Sequence, residues 1–210
     1  MILSISGKMG SGKDTVGEII QKLALTNSNL IFENKKWAYK VKQVATLITG
    51  IPIENFEDQE FKKSLLGPEW GTITNTPLNA IPIFEDVKFN ALLSIRELLQ
   101  KIGTDAMRDG LHENVWVNAM MSEYKKDSNW VITDTRFPNE LKAVKKAGGI
   151  TINVSRIIFT NEDTNPIGVN LHQSETALDD AIFDYTLKND NTIEDLIKNV
   201  KTILEIEKII

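Results

Sequence analysis

The chain has 210 residues, 41% hydrophobic and 25% charged, which suits one domain with a buried core or a core carrying inserted flaps. A net charge of -5 excludes a protein that grips nucleic acid through its backbone alone, since neutralising phosphates needs a basic surface. The absence of cysteine excludes disulfides and thiolate metal sites, and the sequence shows neither a signal peptide nor an apolar run long enough for a bilayer, so the expectation is a soluble cytoplasmic protein.

Ile2 to Ser6 (ILSIS) reads as a short buried strand running into glycines. The next helix is predicted over Asp14 to Leu25, with Val16, Ile19, Ile20 and Leu23 at helical spacing. Val41 to Ile48 gives another helix, stopped by Gly50 and Pro52. Residues 50–92 carry Pro52, Pro68, Pro77 and Pro82 and read as a flap laid over a core. Ser94 and Glu97 have capping-box spacing at the head of a helix whose apolar stripe is Ile95, Leu98, Leu99 and Ile102, while Arg96, Gln100 and Gly103 share another face. VWVNAMMSEY is a further helix, and WVIT a short strand that delivers Asp134. PNELKAVKKAGG has proline at its start and glycines at its end, the punctuation of a helix, and ITINV is a strand. Residues 157–173 read as an exposed loop rich in Asn, Asp and Pro and FDYTL as a last strand; Thr192 then caps a helix expected to turn Ile193, Leu196, Ile197, Val200 and Leu204 inward. Strands alternating with helices predict an α/β fold with a mainly parallel sheet covered on both faces.

The chemistry starts at SGKMGSGKDTVGEII, residues 6–20. A glycine loop between strand and helix aims backbone N–H groups at phosphate oxygens, the helix dipole favours the anion, and a lysine adds a point charge. Gly7, Gly12 and Lys13 fit G-x-x-x-x-G-K, with Gly10 and Ser11 inside the loop, but Asp14 stands where a hydroxyl is usual and Thr15 comes one residue late. The GKGT of kinases similar to adenylate kinase shifts its threonine in the same way. The N-K-x-D that a GTPase needs for guanine is not supplied by NKKW, Asn34 to Trp37.

In WVITDTRFPNE an apolar strand ends on Asp134, the place for a carboxylate that organises Mg²⁺; Arg136 follows, and Glu140 lies one helical turn on. Such an Arg–Asp–Glu group alone reads equally as a surface salt bridge, and the phosphate loop tips it toward phosphate binding. Arg96, Gln100, Gly103 and Thr104 form a third group, in which arginine grips phosphate with paired hydrogen bonds and glutamine reads a base edge, against the alternative of a solvated helix face. Trp116 is either core or a stacking platform for a base. His112 and His172, the two histidines, have no metal-ligand spacing; Lys125 and Lys126 read as a solvated face, and Lys8 as either a further loop charge or an exposed side chain.

Taken with WAYKVKQVA, EDQEFKKSLLGPEW, RELLQKIGTDAMRD, VWVNAM, HQSE and LKNDNTIEDL, these motifs resemble the deoxynucleoside monophosphate kinases of tailed bacteriophages over most of the chain. The resemblance implies a single domain of P-loop kinase fold, with a core of about 1–49, 93–156 and 174–210, an acceptor-binding flap of about 50–92 and a lid of about 157–173. It implies ATP as co-substrate, Mg²⁺, and γ-phosphoryl transfer to a dNMP in nucleotide supply for DNA synthesis, in the host cytoplasm if phage-encoded. Nucleotides are the expected partners, with no nucleic acid and no membrane, and a homodimer is left open. It assigns Gly10, Ser11, Gly12, Lys13, Asp14, Thr15 and Arg156 to ATP, and Thr15 and Asp134 to the metal, directly or through water. Arg96, Gln100, Gly103, Thr104, Trp116, Arg136 and Glu140 go to the acceptor, with Lys13, Arg96, Asp134 and Arg136 as the catalytic set. At Arg156 the chain reads SRIIF where the family has proline soon after the arginine, and residues 157–173 are poor in arginine. Two rival readings are a P-loop kinase for another small metabolite and a nucleotide-binding module without turnover.

Overall fold

A computed structural model of the chain describes residues 1–67, 70, 93–156 and 176–210. Most of the expected flap, the expected lid and His172 fall outside the described residues. The chain divides into two compact units, one of Met1–Trp37 with Val117–Ile210 and one of Ala38–Trp116.

The first unit holds a sheet of five parallel strands: β1 (Ile2–Ser6), β2 (Glu33–Lys35), β3 (Trp130–Ile132), β4 (Ile150–Ser155) and β5 (Tyr185–Lys188), in spatial order β2-β3-β1-β4-β5. Every residue of the central β1 is buried, as a strand covered on both faces must be. Its side chains alternate between two apolar layers. Leu3 and Ile5 join Val131, Ile152, Val154 and Leu187 against α1 (Lys13–Ser28) and α6 (Ile193–Ile206), where Val16, Ile20, Leu196 and Val200 are buried. Ile2 joins Trp130 and Ile132 on the other face with Val117 and Met120 of α4 (Val115–Met121) and Val144 of α5 (Pro138–Lys146). Each fully buried aliphatic side chain contributes roughly 2 kcal/mol of hydrophobic stabilisation.

The local signals explain the boundaries. Helix α1 stops at Asn29, whose left-handed φ of 56° lets its N–H reach the Ala24 and Leu25 carbonyls. Helix α5 starts with Pro138 at its first turn and is followed by Gly148 at φ 74°. One reading needs correction. In α6 the inward side chains are Leu196, Val200, Ile203 and Leu204, while Ile193 and Ile197 are exposed, because the helix leans its 196–200–203–204 stripe on the sheet. The three-residue strand β2 (ENK) carries no apolar periodicity, and nothing in its composition announced it.

The second unit contains the body of α2 (Trp37–Thr49), two short 3₁₀ turns at Ile53–Glu57 and Phe61–Lys63, and α3 (Ile95–Gln100). The Ser94 hydroxyl accepts from the Glu97 amide and the Glu97 carboxylate accepts from the Ser94 amide, so the expected capping box is present at the head of α3. α3 continues into a π-helix over Lys101–Asp109. Ala45, Phe56, Leu66, Ile95, Leu98, Ile102 and Trp116 make the core of this unit. That separate core is why residues 38–49 and 93–116, read from sequence as part of the main core, group with the second unit.

Candidate active site

The loop between β1 and α1 is shaped by glycines. Gly7, Gly10 and Gly12 have φ of 150°, 77° and 96°, and a side chain on Gly7 would lie 2.2 Å from the Val154 carbonyl oxygen. Gly12 sits at the N-cap position without a side-chain cap, so the first-turn N–H groups of α1 face the loop with no intrahelical partner. The Lys13 ammonium folds back to donate to the Lys8 carbonyl at 2.8 Å. Ser11 is 1% exposed, yet its hydroxyl has no hydrogen-bond partner among the described residues. Lys8 carries an exposed ion pair to Asp179. Gly10 and Thr15 are exposed.

A cavity of about 340 Å³ opens on this loop, with Gly7, Lys8, Ser11, Arg136, Arg156 and Asp179 in its wall. It lies at the carboxyl ends of β1, β3 and β4, where the connections leaving β1 and β3 turn to opposite faces of the sheet. That is the crevice in which open parallel sheets bind ligands.

The segment after β3 is tightly held. The Trp37 amide donates to Asp134 Oδ1 at 2.9 Å, so the carboxylate anchors the first residue of α2. Trp37 Nε1 donates to Thr135 Oγ1 at 3.0 Å, and that hydroxyl meets Ser4 Oγ at 2.6 Å. Glu140 is 2% exposed, and its Oε2 accepts from the Arg136 amide at 2.8 Å and the Phe137 amide at 3.0 Å. This changes its reading: instead of reaching toward an acceptor, Glu140 caps α5 from beneath and fixes the backbone from which Arg136 projects.

Asp14, which stands where a hydroxyl is usual, is held by two side chains from outside the loop. Thr133 Oγ1 donates to its Oδ1 at 2.7 Å, and the Lys36 ammonium stands 3.5 Å away. Burial pushes the Asp14 carboxyl up, but the Thr133 hydroxyl and the charges of Lys36 and Lys13 outweigh it, and the net shift is downward. Lys36 and Thr133 were both missed in the sequence. The signal that could have found them is strand pairing: Lys35 sits opposite Ile132, which brings Lys36 and Thr133 out at the same sheet edge.

The remaining expected site residues belong to the second unit. Arg96 is exposed, with Nη2 donating to Gln59 Oε1 at 3.3 Å, and Gln100 is half-buried. Gly103 and Thr104 lie in the π-helix, a widened winding that often marks functional segments. A methyl group on Gly103 would meet Val41 at 3.6 Å, ordinary contact, so protein packing does not require glycine there. Trp116 needs correction as a stacking platform. It is 5% exposed, packs with Ile95, Leu98 and Ile102, and its Nε1 donates to the Gly103 carbonyl at 2.7 Å. Both its apolar surface and its one donor are used inside the unit. Arg108, nine-tenths buried with Nη1 donating to the Glu113 carbonyl at 3.3 Å, is a charged residue of the π-helix that the sequence reading did not single out.

A larger open depression of about 520 Å³ lies at the other end of the sheet, lined by Lys145, Asp184, Tyr185 and Glu207. Its polar groups satisfy one another: Asp184 accepts from the Thr151 amide at 2.8 Å and hydroxyl at 2.6 Å, and Tyr185 donates to Glu207 at 2.5 Å. Among the described residues that leaves the glycine-loop edge as the candidate site.

Residues 73–200 match the profile of the deoxynucleotide monophosphate kinase family. The deoxynucleoside-5'-monophosphate kinase of Escherichia phage T5 is 27% identical over 67% of this chain and 70% of its own. The deoxynucleotide monophosphate kinase of Enterobacteria phage T4 is 24% identical over 98% of this chain and 99% of its own. Among solved structures, shikimate kinase from Aquifex aeolicus aligns with a TM-score of 0.47 at 15% identity, covering 98% of this chain and 96% of that one. Dephospho-CoA kinase from Campylobacter jejuni aligns with a TM-score of 0.44 at 16% identity, covering 99% and 96%.

Proposed function

The chain belongs to the deoxynucleotide monophosphate kinase family, and from that premise we propose how its residues transfer the γ-phosphoryl group of ATP to a deoxynucleoside 5'-monophosphate, giving dNDP and ADP. The observation that carries the reading is the glycine loop opening on a cavity that also holds Arg136 and Arg156. The acceptor is a phosphate monoester with a second pKa of about 6, mostly dianionic near neutrality, so no strong general base is needed. The obstacle is repulsion between anions, which is met by positioning and fixed positive charge.

In this reading the loop amides, Gly10, Ser11, Gly12 and Lys13 hold the ATP phosphates, with Arg156 beside them. Arg136, aimed by Glu140, neutralises charge on the phosphoryl group and its acceptor. Arg96, Gln100, Gly103 and Thr104 are the acceptor contacts of the second unit. Mg²⁺ fits the donor chemistry of the first unit. Thr15 and Asp134 offer oxygen only, and Mg²⁺ takes one or two such ligands together with phosphate oxygens and water. Among the described residues no group of three or more His, Asp or Glu forms a cage that would hold a metal without them. When bound, the ion supplies neutralising charge to the β- and γ-oxygens. Among the described residues no helix is long and apolar enough to cross a membrane, and the reading places the protein in the cytoplasm, with nucleotides as its partners.

The test is a coupled ADP-release assay over a panel of dNMPs, NMPs and alcohol-bearing metabolites. Turnover with dNMPs is expected. Turnover only with alcohols would make the protein another kind of small-molecule kinase, and ATP binding without turnover on any acceptor would make it a binding module.

A further inference from the structure

The loop after β5 touches the glycine loop through one side chain. Asn189 donates its backbone N–H to the Ser155 carbonyl at 2.8 Å, extending the β4–β5 ladder by one rung. Its side-chain amide donates to the Ser11 carbonyl at 2.9 Å. The same amide lies against Gly12, where an added side-chain carbon would stand 2.4 Å from Nδ2. Asn189 is thus seated on the Ser11–Gly12 peptide, anchored to the sheet on one side and to the loop on the other.

The consequence follows from peptide planarity. In a trans peptide the C=O and the next N–H point in opposite directions. A donor that holds the Ser11 carbonyl on one side fixes the Gly12 N–H toward the other, at the N-cap of α1. The geometry points to Asn189 as a positioning residue for ATP, one that holds the Ser11–Gly12 peptide in its phosphate-binding orientation. It also gives Gly12 a second reason to be glycine, since any side chain would displace the amide. This inference rests on the reading of the loop as the ATP phosphate site.

The experiment compares Asn189→Ala and Asn189→Asp with Lys13→Ala on the full chain, measuring the thermal midpoint, kcat, both KM values and the ADP dissociation constant. Asn189→Ala removes the donor. A lost hydrogen bond of this kind predicts an ATP KM and an ADP dissociation constant raised about tenfold, with the dNMP KM within about twofold. Asn189→Asp keeps the size and the backbone bond but cannot donate and sets a negative charge near the phosphates, so its ATP KM rises further, by about a hundredfold. Lowered thermal midpoints with unchanged ATP and ADP constants in both variants would make Asn189 a strut of the fold and overturn the inference. If Asn189→Ala does not fold, Asn189→Asp decides alone; if neither folds, the strut reading wins. Normal turnover in Lys13→Ala would instead remove the loop reading itself, a result distinct from normal Asn189 variants beside a dead Lys13→Ala.

Discussion

The two ends of one parallel sheet are built in opposite ways. At the amino ends of β4 and β5, Asp184, Thr151, Tyr185 and Glu207 meet one another in short hydrogen bonds, and Lys145 stands 3.7 Å from Asp184. At the carboxyl ends of β1, β3 and β4, glycines hold the chain at positive φ and the buried Ser11 hydroxyl has no partner among the described residues. The first end is finished as a piece of protein. The second leaves a buried polar atom unpaired among the described residues, which is why the proposed ATP site is put there, even though the finished end has the larger depression.

The largest effect should come from Lys13→Ala. Removing a charge whose interaction strengthens in the transition state costs roughly 3 kcal/mol or more, so turnover should fall at least a hundredfold with the thermal midpoint unchanged. Near-normal turnover would erase the distinction between the two ends.

Arg136→Ala comes next. A charge-assisted hydrogen bond to phosphate is worth about 1.5–3 kcal/mol, and the loss should fall on dNMP KM and kcat and spare ATP KM. A rise confined to ATP KM would move Arg136 to the donor side.

At the finished end, Asp184→Asn should lower stability by about 1 kcal/mol at neutral pH and leave every kinetic constant alone. Burial raises the Asp184 carboxyl, but the Thr151 hydroxyl and amide with the Lys145 charge outweigh it, so its folded pKa lies below its unfolded one. The stabilisation is therefore present above the ordinary carboxylate range and lost as pH falls through the folded value. Denaturant melts at several pH values should show the two proteins converging in acid; a gap that persisted there would exclude ionisation as its cause.

Ser11→Ala is the smallest and sharpest test. With no hydrogen bond to lose among the described residues, its stability should stay within about 0.5 kcal/mol of the parent, while the rise in midpoint on adding ADP shrinks. A loss of stability comparable to that of Asp184→Asn would mean that the hydroxyl is satisfied after all and that the contrast between the ends fails.

The loop, the capping box at Ser94 and Glu97, and the proline-to-glycine span of α5 were legible because each is set by residues within a few positions of one another. Strand β2 was not: its ENK has no side-chain pattern and is a strand only because β3 lies beside it. The same limit governs the site. Gly12 and Lys13 are marked by local spacing, but Asn189 meets Ser11 across 178 positions and Lys36 meets Asp14 across a strand crossing, pairings that only the assembled sheet creates. Trp116 and Glu140 stand out in the sequence, but their surroundings do not: each is buried and hydrogen-bonded within the protein. From sequence, an aromatic ring or a carboxylate near a site looks the same whether it faces a ligand or the protein, and burial decides.

The sheet order puts β2 and β5 at the two edges. Among the described residues each edge strand has one unpaired side, a row of backbone donors and acceptors of the kind that a second chain can extend and at which aggregation between sheets begins. Here the rows are very short: β2 has three residues, all polar or charged, and β5 has four and ends in Lys188. Lys35 also lies over the Trp130 ring, 5.2 Å from its centroid, closing the β2 side with a cation. A neighbour adding a strand there would gain few rungs and bury a lysine. The wholly buried β1 that carries the phosphate loop lies in the centre of the sheet with β3 and β4 paired on either side, so it is out of reach of another chain where the chemistry also needs it.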